Sequence, residues 1–297
     1  MKKYVLLLDM GGTEIKVNAL TEDNTFLSAK AKHYPSFSNQ SKSVIISHIA
    51  KIIKETTLDY EEKFVLQAIG FSFPGPFDYQ HGISLMQDLR KYDSLYQVNL
   101  KEALENELVE ERFVNVPFVF ENDATCFALG EYIQSENVTR GIYLTLGTGC
   151  GSTFIEDGKV VKEGYGLNEM GMIYDTPYLD GQIDDYLSIA GLKQIAVERH
   201  YPYINGLALF EEAEKGNKQA QDILVTFGKL ISHALTEFID LFEPNEVVFG
   251  GQVSKSFKYF KEGLIKKGHT KYKESKDTSE STFYGLAYTI KKEIGAK

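Results

Sequence analysis

Apolar residues recur with two periods along the chain, and the positions where the period changes mark out its elements. Residues 4–8 (Tyr-Val-Leu-Leu-Leu) are continuously apolar, as in a strand covered on both faces. After Gly11-Gly12 the pattern alternates through Ile15, Val17 and Ala19, predicting a returning strand over 13–20 and, past a turn at 22–24, a third over 25–34. The opening is therefore an antiparallel meander with a glycine-rich first turn. Val44, Ile45, Ile49, Ile52 and Ile53 then fall at helical spacing over 43–57. Residues 67–73 predict a strand that Pro74-Gly75-Pro76 must end. Asn99 is placed to cap a helix reaching about residue 109. Residues 117–120 predict a strand that gives way, at Glu121-Asn122-Asp123, to a helix over 124–133.

The second half repeats this order. A strand over 141–146 meets Gly147-Thr148-Gly149-Cys150-Gly151, a strand over 152–155 returns, and Asp157-Gly158 turns the chain into 159–161. Residues 219–242 give the clearest helical stripe, with Ile223, Phe227, Leu230, Ile231, Ala234, Leu235, Phe238 and Ile239 on one face. A buried strand over 247–249 follows and ends on Gly250-Gly251. Residues 271–281 are charged and predict surface, and 282–294 a final helix. Two meanders, each followed by helices and crossover strands, predict an α/β protein built from a duplicated unit, although no residue-level repeat accompanies the topology. The expected domains are 1–118 with 283–297, and 119–282, so that Asp123 falls at a domain junction, where ligands tend to bind.

Composition adds exclusions. The chain has 297 residues, enough for two cores, and 43% hydrophobic with 25% charged residues is ordinary for a soluble globular protein. A net charge of −10 disfavours a general nucleic-acid or anionic-membrane surface. Lys2 and Lys3 precede apolar residues, but Asp9 interrupts the run too early for a signal core or a membrane span. Cys126 and Cys150 cannot make a disulfide framework or a zinc site unaided, and the expected compartment is the cytoplasm.

The candidate chemistry sits at the ends of strands. Asp123 either caps the helix that follows it or stands as a general base at the mouth of the fold. In Asp9-Met10-Gly11-Gly12-Thr13 the paired glycines let backbone amides face an anion, Thr13 adds a hydroxyl, and Asp9 is placed to hold Mg2+ through water; the competing reading is a plain hairpin turn. Gly147, Thr148 and Gly149 repeat the strand–glycine–strand context. Gly250 and Gly251 suit either close approach of an adenine or packing of strand on helix. No G-x-x-x-x-G-K-[ST] run is present, and Gly147–Gly151 neither fits G-x-G-x-x-G nor opens a helix, so P-loop and Rossmann sites are not expected.

Taken in order, D-M-G-G-T at 9–13, S-F-P-G-P at 72–76, E-N-D-A at 121–124, L-G-T-G-C-G at 146–151, N-E-M-G-M at 168–172 and F-G-G at 249–251 resemble the ROK family of sugar kinases and sugar-responsive repressors over nearly the whole chain. The resemblance implies the actin-like ATPase fold (a duplicated ribonuclease H-like unit), ATP and Mg2+ as cofactors, and a homodimer. It also implies Asp123 as general base, Asn122 and Glu169 on the sugar together with the Gly75 turn, and Asp9, Gly11, Gly12, Thr13, Thr148 and Gly149 around the phosphates. A sugar-responsive repressor would carry a helix-turn-helix ahead of the first loop, and only eight residues precede Asp9.

The chain departs from the family at its zinc motif. Met172 stands where many members have the ligand His, and Gly181-Gln182-Ile183-Asp184 falls on the family's G-C-x-E segment, followed by Ser188, so no structural zinc is expected. Tyr174 and Tyr178 are then the candidates to hold residues 173–182 by packing. In the family the His and Glu at these positions approach the anomeric end of the sugar. Met172 offers no useful hydrogen bond and Asp184 is one methylene shorter, which favours a β-glucoside or disaccharide such as cellobiose over free glucose, since an unpartnered buried hydroxyl costs about 1–3 kcal/mol. Glu14 stands where the family often has Lys, and strand alternation lets it turn away from the loop.

Overall fold

The structure is a computed structural model that describes residues 1–89 and 91–295. It divides into two compact units, one formed by Met1–Cys126 with the C-terminal segment from Ser279, the other by Phe127–Thr278. This seam lies inside the helix Asp123–Gln134, downstream of the 118/119 boundary read from the sequence, and it leaves Asp123 in the first unit.

The first unit holds a five-stranded sheet of β1 (Lys2–Met10), β2 (Glu14–Thr21), β3 (Lys32–Pro35), β4 (Phe64–Phe73) and β5 (Phe118–Asn122), in the order β3-β2-β1-β4-β5. Strands β1, β2 and β3 form the antiparallel meander, and β4 and β5 run parallel to β1. The continuous apolar run of β1 has a direct cause. Tyr4, Leu6, Leu8 and Met10 join the core that contains Ile45, Ile49, Ile52 and Ile53 of the helix Lys42–Leu58, while Val5 and Leu7 join a second core with Phe283, Leu286, Ala287 and Ile290 of the helix Thr278–Gly295. Both faces of the central strand are dry, so alternation disappears.

The second unit repeats the arrangement with β6 (Arg140–Leu146), β7 (Cys150–Glu156), β8 (Lys159–Val161), β9 (Glu246–Gly250) and β10 (Lys271–Glu274), in the order β8-β7-β6-β9-β10. Again the first three strands form an antiparallel meander and the last two run parallel to the first. The expected duplication is present at the level of topology.

Three sequence expectations are corrected. Residues 25–31 do not belong to the third strand, which begins at Lys32. The charged stretch from 271 is not simply surface: Lys271–Glu274 is an edge strand parallel to β9, and residues 278–281 already belong to the last helix. The single helix expected over 219–242 is two, Lys218–Ala234 and Thr236–Phe242, separated at Leu235. There Thr236 Oγ1 donates to the Ser232 carbonyl at 2.8 Å and Ser232 Oγ accepts from the Ile265 amide at 3.0 Å, side-chain bonding of the kind that bends helices. The apolar face continues through the break, which is why periodicity did not reveal it.

Candidate active site

In the first unit the register of three parallel strands places the chemistry. Asp9 pairs with Ser72 across β1 and β4, and Ser72 pairs with Glu121 across β4 and β5, so these side chains form one row at the carboxyl ends of the strands. That is the position where open α/β sheets bind ligands. Ser72, fully buried, donates to Asp9 Oδ1 at 3.0 Å. Burial, reinforced by the charge of Asp123, lifts the Asp9 carboxyl to about 6. Burial also raises the Asp123 carboxyl, with Lys91 and the Ala124 amide pulling the other way.

The two readings of Asp123 separate here. The bond typical of a helix cap, from side chain to the backbone three residues on, is made by Asn122, whose Oδ1 accepts from the Thr125 amide at 3.1 Å. Asp123 is the first helical residue, and its Oδ1 accepts from the Ala124 amide at 2.9 Å. Capping therefore falls to its neighbour. Asn122, buried, also gives its Nδ2 to the Tyr79 hydroxyl at 3.0 Å, and that hydroxyl donates to the Phe73 carbonyl at 3.0 Å. Both ends of the Asn122 amide are thus engaged in joining the strand end before Pro74-Gly75-Pro76 to the start of the helix. Asn122→Ala is expected to cost about 1 kcal/mol of stability through the lost cap, measured as a shift in urea midpoint.

The first glycine loop is oriented from its carbonyl side. Tyr92 donates its hydroxyl to the Gly11 carbonyl at 2.9 Å, and Ser36 and Ser38 both donate to the Gly12 carbonyl, at 2.6 and 2.5 Å. In a planar trans peptide the following N–H points opposite, so the amides of Gly12 and Thr13 face away from these donors. Gly11 leaves no room for a side chain, because a Cβ would lie 2.8 Å from the Glu14 carbonyl oxygen. Thr13 is exposed at the loop tip. Glu14 is held by His33 Nδ1 at 2.9 Å, with Lys16 at 3.7 Å, and the His33 bond keeps its carboxyl below the usual range. The sequence singled out none of Ser36, Ser38, Tyr79, Lys91 or Tyr92, which carry no short motif.

In the second unit Gly147 donates its amide to the Gly149 carbonyl at 3.0 Å, and Thr148 is exposed. Asp184, expected on the sugar, has its Oδ1 on the Cys150 amide at 2.6 Å, and a Cβ on Gly149 would lie 2.6 Å from the same oxygen. This carboxylate is bound to the glycine loop itself. Gly250 lies against the Phe127 ring, and Gly251, at φ +86°, lies against the Leu146 backbone and donates its amide to the Thr278 hydroxyl oxygen at 3.0 Å. Both glycines are closely packed. Gly251→Ala should cost more than about 1 kcal/mol in a denaturation experiment, from the left-handed backbone plus the clash.

Glu169 is exposed on a turn closed by Asn168, whose Oδ1 accepts from the Met170 and Met172 amides at 3.0 and 2.8 Å. Met172 is half-buried beside it. Among the described residues no group of three or more His, Cys, Asp or Glu side chains is placed to hold a metal. Tyr178 is buried, donates to the Leu230 carbonyl at 3.1 Å, lies 3.0 Å from His233 Nδ1 and meets Tyr186 edge-on; Tyr174 is only half-buried. No helix of the described residues is long and apolar enough to cross a membrane.

Known proteins resemble the chain in sequence and in fold. The chain is 27% identical over 282 residues to the N-acetyl-D-glucosamine kinase of Haemophilus influenzae (87% of each chain). It is 25% identical over 262 residues to the β-glucoside kinase of Listeria innocua (84% of this chain, 83% of the other). The ROK family glucokinase of Streptomyces griseus, solved with glucose and AMPPNP, superposes with a TM-score of 0.70 at 20% identity, covering 97% of this chain and 99% of the other, so the fold is that of the actin-like ATPases. The ROK family model matches residues 5–281, nearly the whole chain, and the chain belongs to the ROK family.

Proposed function

We propose that this protein is an ATP-dependent sugar kinase that phosphorylates the 6-hydroxyl of a glucose unit. The observation that carries this reading is Asp123: part-exposed at the carboxyl ends of three parallel strands and relieved of helix capping by Asn122, with its carboxyl raised by burial. In the proposed reaction Asp123 accepts the proton of the sugar hydroxyl as its oxygen attacks the terminal phosphorus. The amides of Gly12 and Thr13 hold phosphate oxygens, and Gly147, Thr148 and Gly149 are proposed to do the same. Such transition states are loose, so positioning and charge neutralisation supply most of the acceleration.

Asp9 is proposed to hold Mg2+ through water. The fit is chemical: a hard oxygen donor, fixed by Ser72, whose anionic form is costly where it stands and gains from a nearby cation. Bound there, the ion would offset phosphate charge.

For the acceptor we favour a β-glucoside or a disaccharide such as cellobiose. Asp184 already bonds a loop amide, and Met172 brings no polar group, so the two positions that would meet an anomeric hydroxyl offer it little. A kinase for a free hexose is the second reading, favoured by the similarity to the N-acetyl-D-glucosamine kinase. ADP release measured with ATP, Mg2+ and a panel of glucose, N-acetylglucosamine, mannose, fructose, cellobiose and methyl β-glucoside tests both. The expected result is the highest kcat/KM with a β-glucoside; a much higher value for a free hexose overturns the glycoside preference, and no sugar-dependent release overturns the kinase.

A further inference from the structure

The end of the first sheet is crowded with negative charge. Asp9 feels the charge of Asp123 there, and Glu14 follows the glycine loop. A nucleotide's phosphates would add several more charges, and carboxylates and phosphates at a few ångströms repel strongly in a partly dry site. Lys16, near Asp9, has its ammonium on the Ser279 hydroxyl at 2.8 Å with Glu14 at 3.7 Å. Lys91 is placed differently. Its stem lies across Gly12, so that a Cβ added there would be 3.3 Å from Lys91 Cδ and 3.7 Å from its Cβ.

The position of this lysine is fixed by its neighbour. Tyr92 is fully buried in the left-handed conformation at φ 58°, donates its amide to the Ser38 carbonyl at 2.8 Å and its hydroxyl to the Gly11 carbonyl at 2.9 Å. Ser38 in turn donates to the Gly12 carbonyl. Residues 91 and 92 are thus fastened to the loop at both of its glycines, and half-buried Lys91 projects from that anchor. Lys91 is also the charge that most lowers the Asp123 carboxyl against the effect of burial, which puts its ammonium within electrostatic reach of the proposed base.

Given the kinase reading above, we propose that Lys91 is a phosphate-binding residue of the first glycine loop, its ammonium contacting the terminal phosphate oxygens of the nucleotide as the phosphoryl group moves toward the acceptor held by Asp123. The loop amides fix phosphate geometry, and Lys91 supplies the positive side chain that the loop itself lacks. Its ligand class is a nucleoside triphosphate; a monophosphate, with no β or γ group, would not reach it.

The test uses the full chain and the variants Lys91→Met, Lys91→Gln and Lys91→Arg. Calorimetric binding of a non-hydrolysable ATP analogue and of AMP is measured without sugar, and steady-state kinetics follow ADP release. A charge-assisted contact of this kind predicts that Lys91→Met and Lys91→Gln weaken the triphosphate analogue about 10- to 100-fold. AMP binding and the KM for sugar should be little changed, kcat should fall, and Lys91→Arg should recover most of the loss. Thermal melts confirm folding, and Lys91→Gln carries the test if Lys91→Met does not fold. Equal weakening of AMP and the triphosphate overturns the proposal. So does a loss of kcat with unchanged triphosphate affinity, which would make Lys91 a positioning residue for Asp123. A wild-type chain that binds the triphosphate and phosphorylates sugar while the variants match it defeats the Lys91 assignment alone. A wild type that does neither defeats the kinase reading with it.

Discussion

Asp123→Ala is expected to lower kcat at least about a hundredfold, the lower end of what a positioned general base contributes, while leaving sugar affinity within a few-fold. The fold should tolerate the change. The helix Asp123–Gln134 keeps its cap in Asn122, and the change removes the bond that the carboxylate accepts from the Ala124 amide. Stability should therefore stay within about 1 kcal/mol of wild type. Sugar binding by calorimetry, ADP release by a coupled assay and a urea melt together separate catalysis from folding. Near-normal turnover would remove Asp123 from the mechanism, and an unfolded variant would mean that its carboxylate has a structural role that the hydrogen bonds do not indicate.

Asp9→Asn should have opposite effects on activity and stability. Losing the carboxylate is expected to abolish most Mg2+-dependent turnover. The ligand-free protein should nevertheless become more stable near neutral pH, because an ionised Asp9 is costly where it stands. With the folded carboxyl at about 6 against an ordinary 3.8, the folded chain between those values holds a proton that the unfolded chain has released. Stability consequently falls as pH rises through the window, by at most about 3 kcal/mol for two pK units. Asparagine carries no charge at any of these pH values and can still accept from Ser72. The gain over wild type should be absent below about pH 4 and complete above about pH 7. Urea midpoints at pH 4 and pH 7.5 without nucleotide or metal measure it; a variant less stable than wild type at pH 7.5 would show that Asp9 ionises there without penalty.

These expectations differ in how far the sequence could carry them. The alternation through Ile15, Val17 and Ala19, the apolar run of 4–8 and the helical stripe of 43–57 were enough for the meander and its first helix, because each element buries a face whose period is written locally. Repetition of that order with a second glycine turn was enough for the duplication. The break at Leu235 was not legible, since the hydrogen bonds that bend the backbone there leave the apolar stripe intact. The strand Lys271–Glu274 was hidden for a related reason: on an edge, pairing with β9 holds a charged segment that has no buried face to advertise.

At the site, the sequence by itself determined the residue types and their order: Asp9 at the end of the first strand, glycines after three strands, and Asp123 opening a helix. What the tertiary structure decided was which of them are already engaged. Whether Asp123 caps its helix depended on Asn122 reaching Thr125, and Asn122 was held for that by Tyr79, far away in the sequence. Asp184 was turned onto the Cys150 amide, and Lys91 was brought to Gly12 through Tyr92 and Ser38. Periodicity records which face of an element is dry; hydrogen-bond partners separated by tens of residues are set only when the sheet registers close, and no local pattern encodes them.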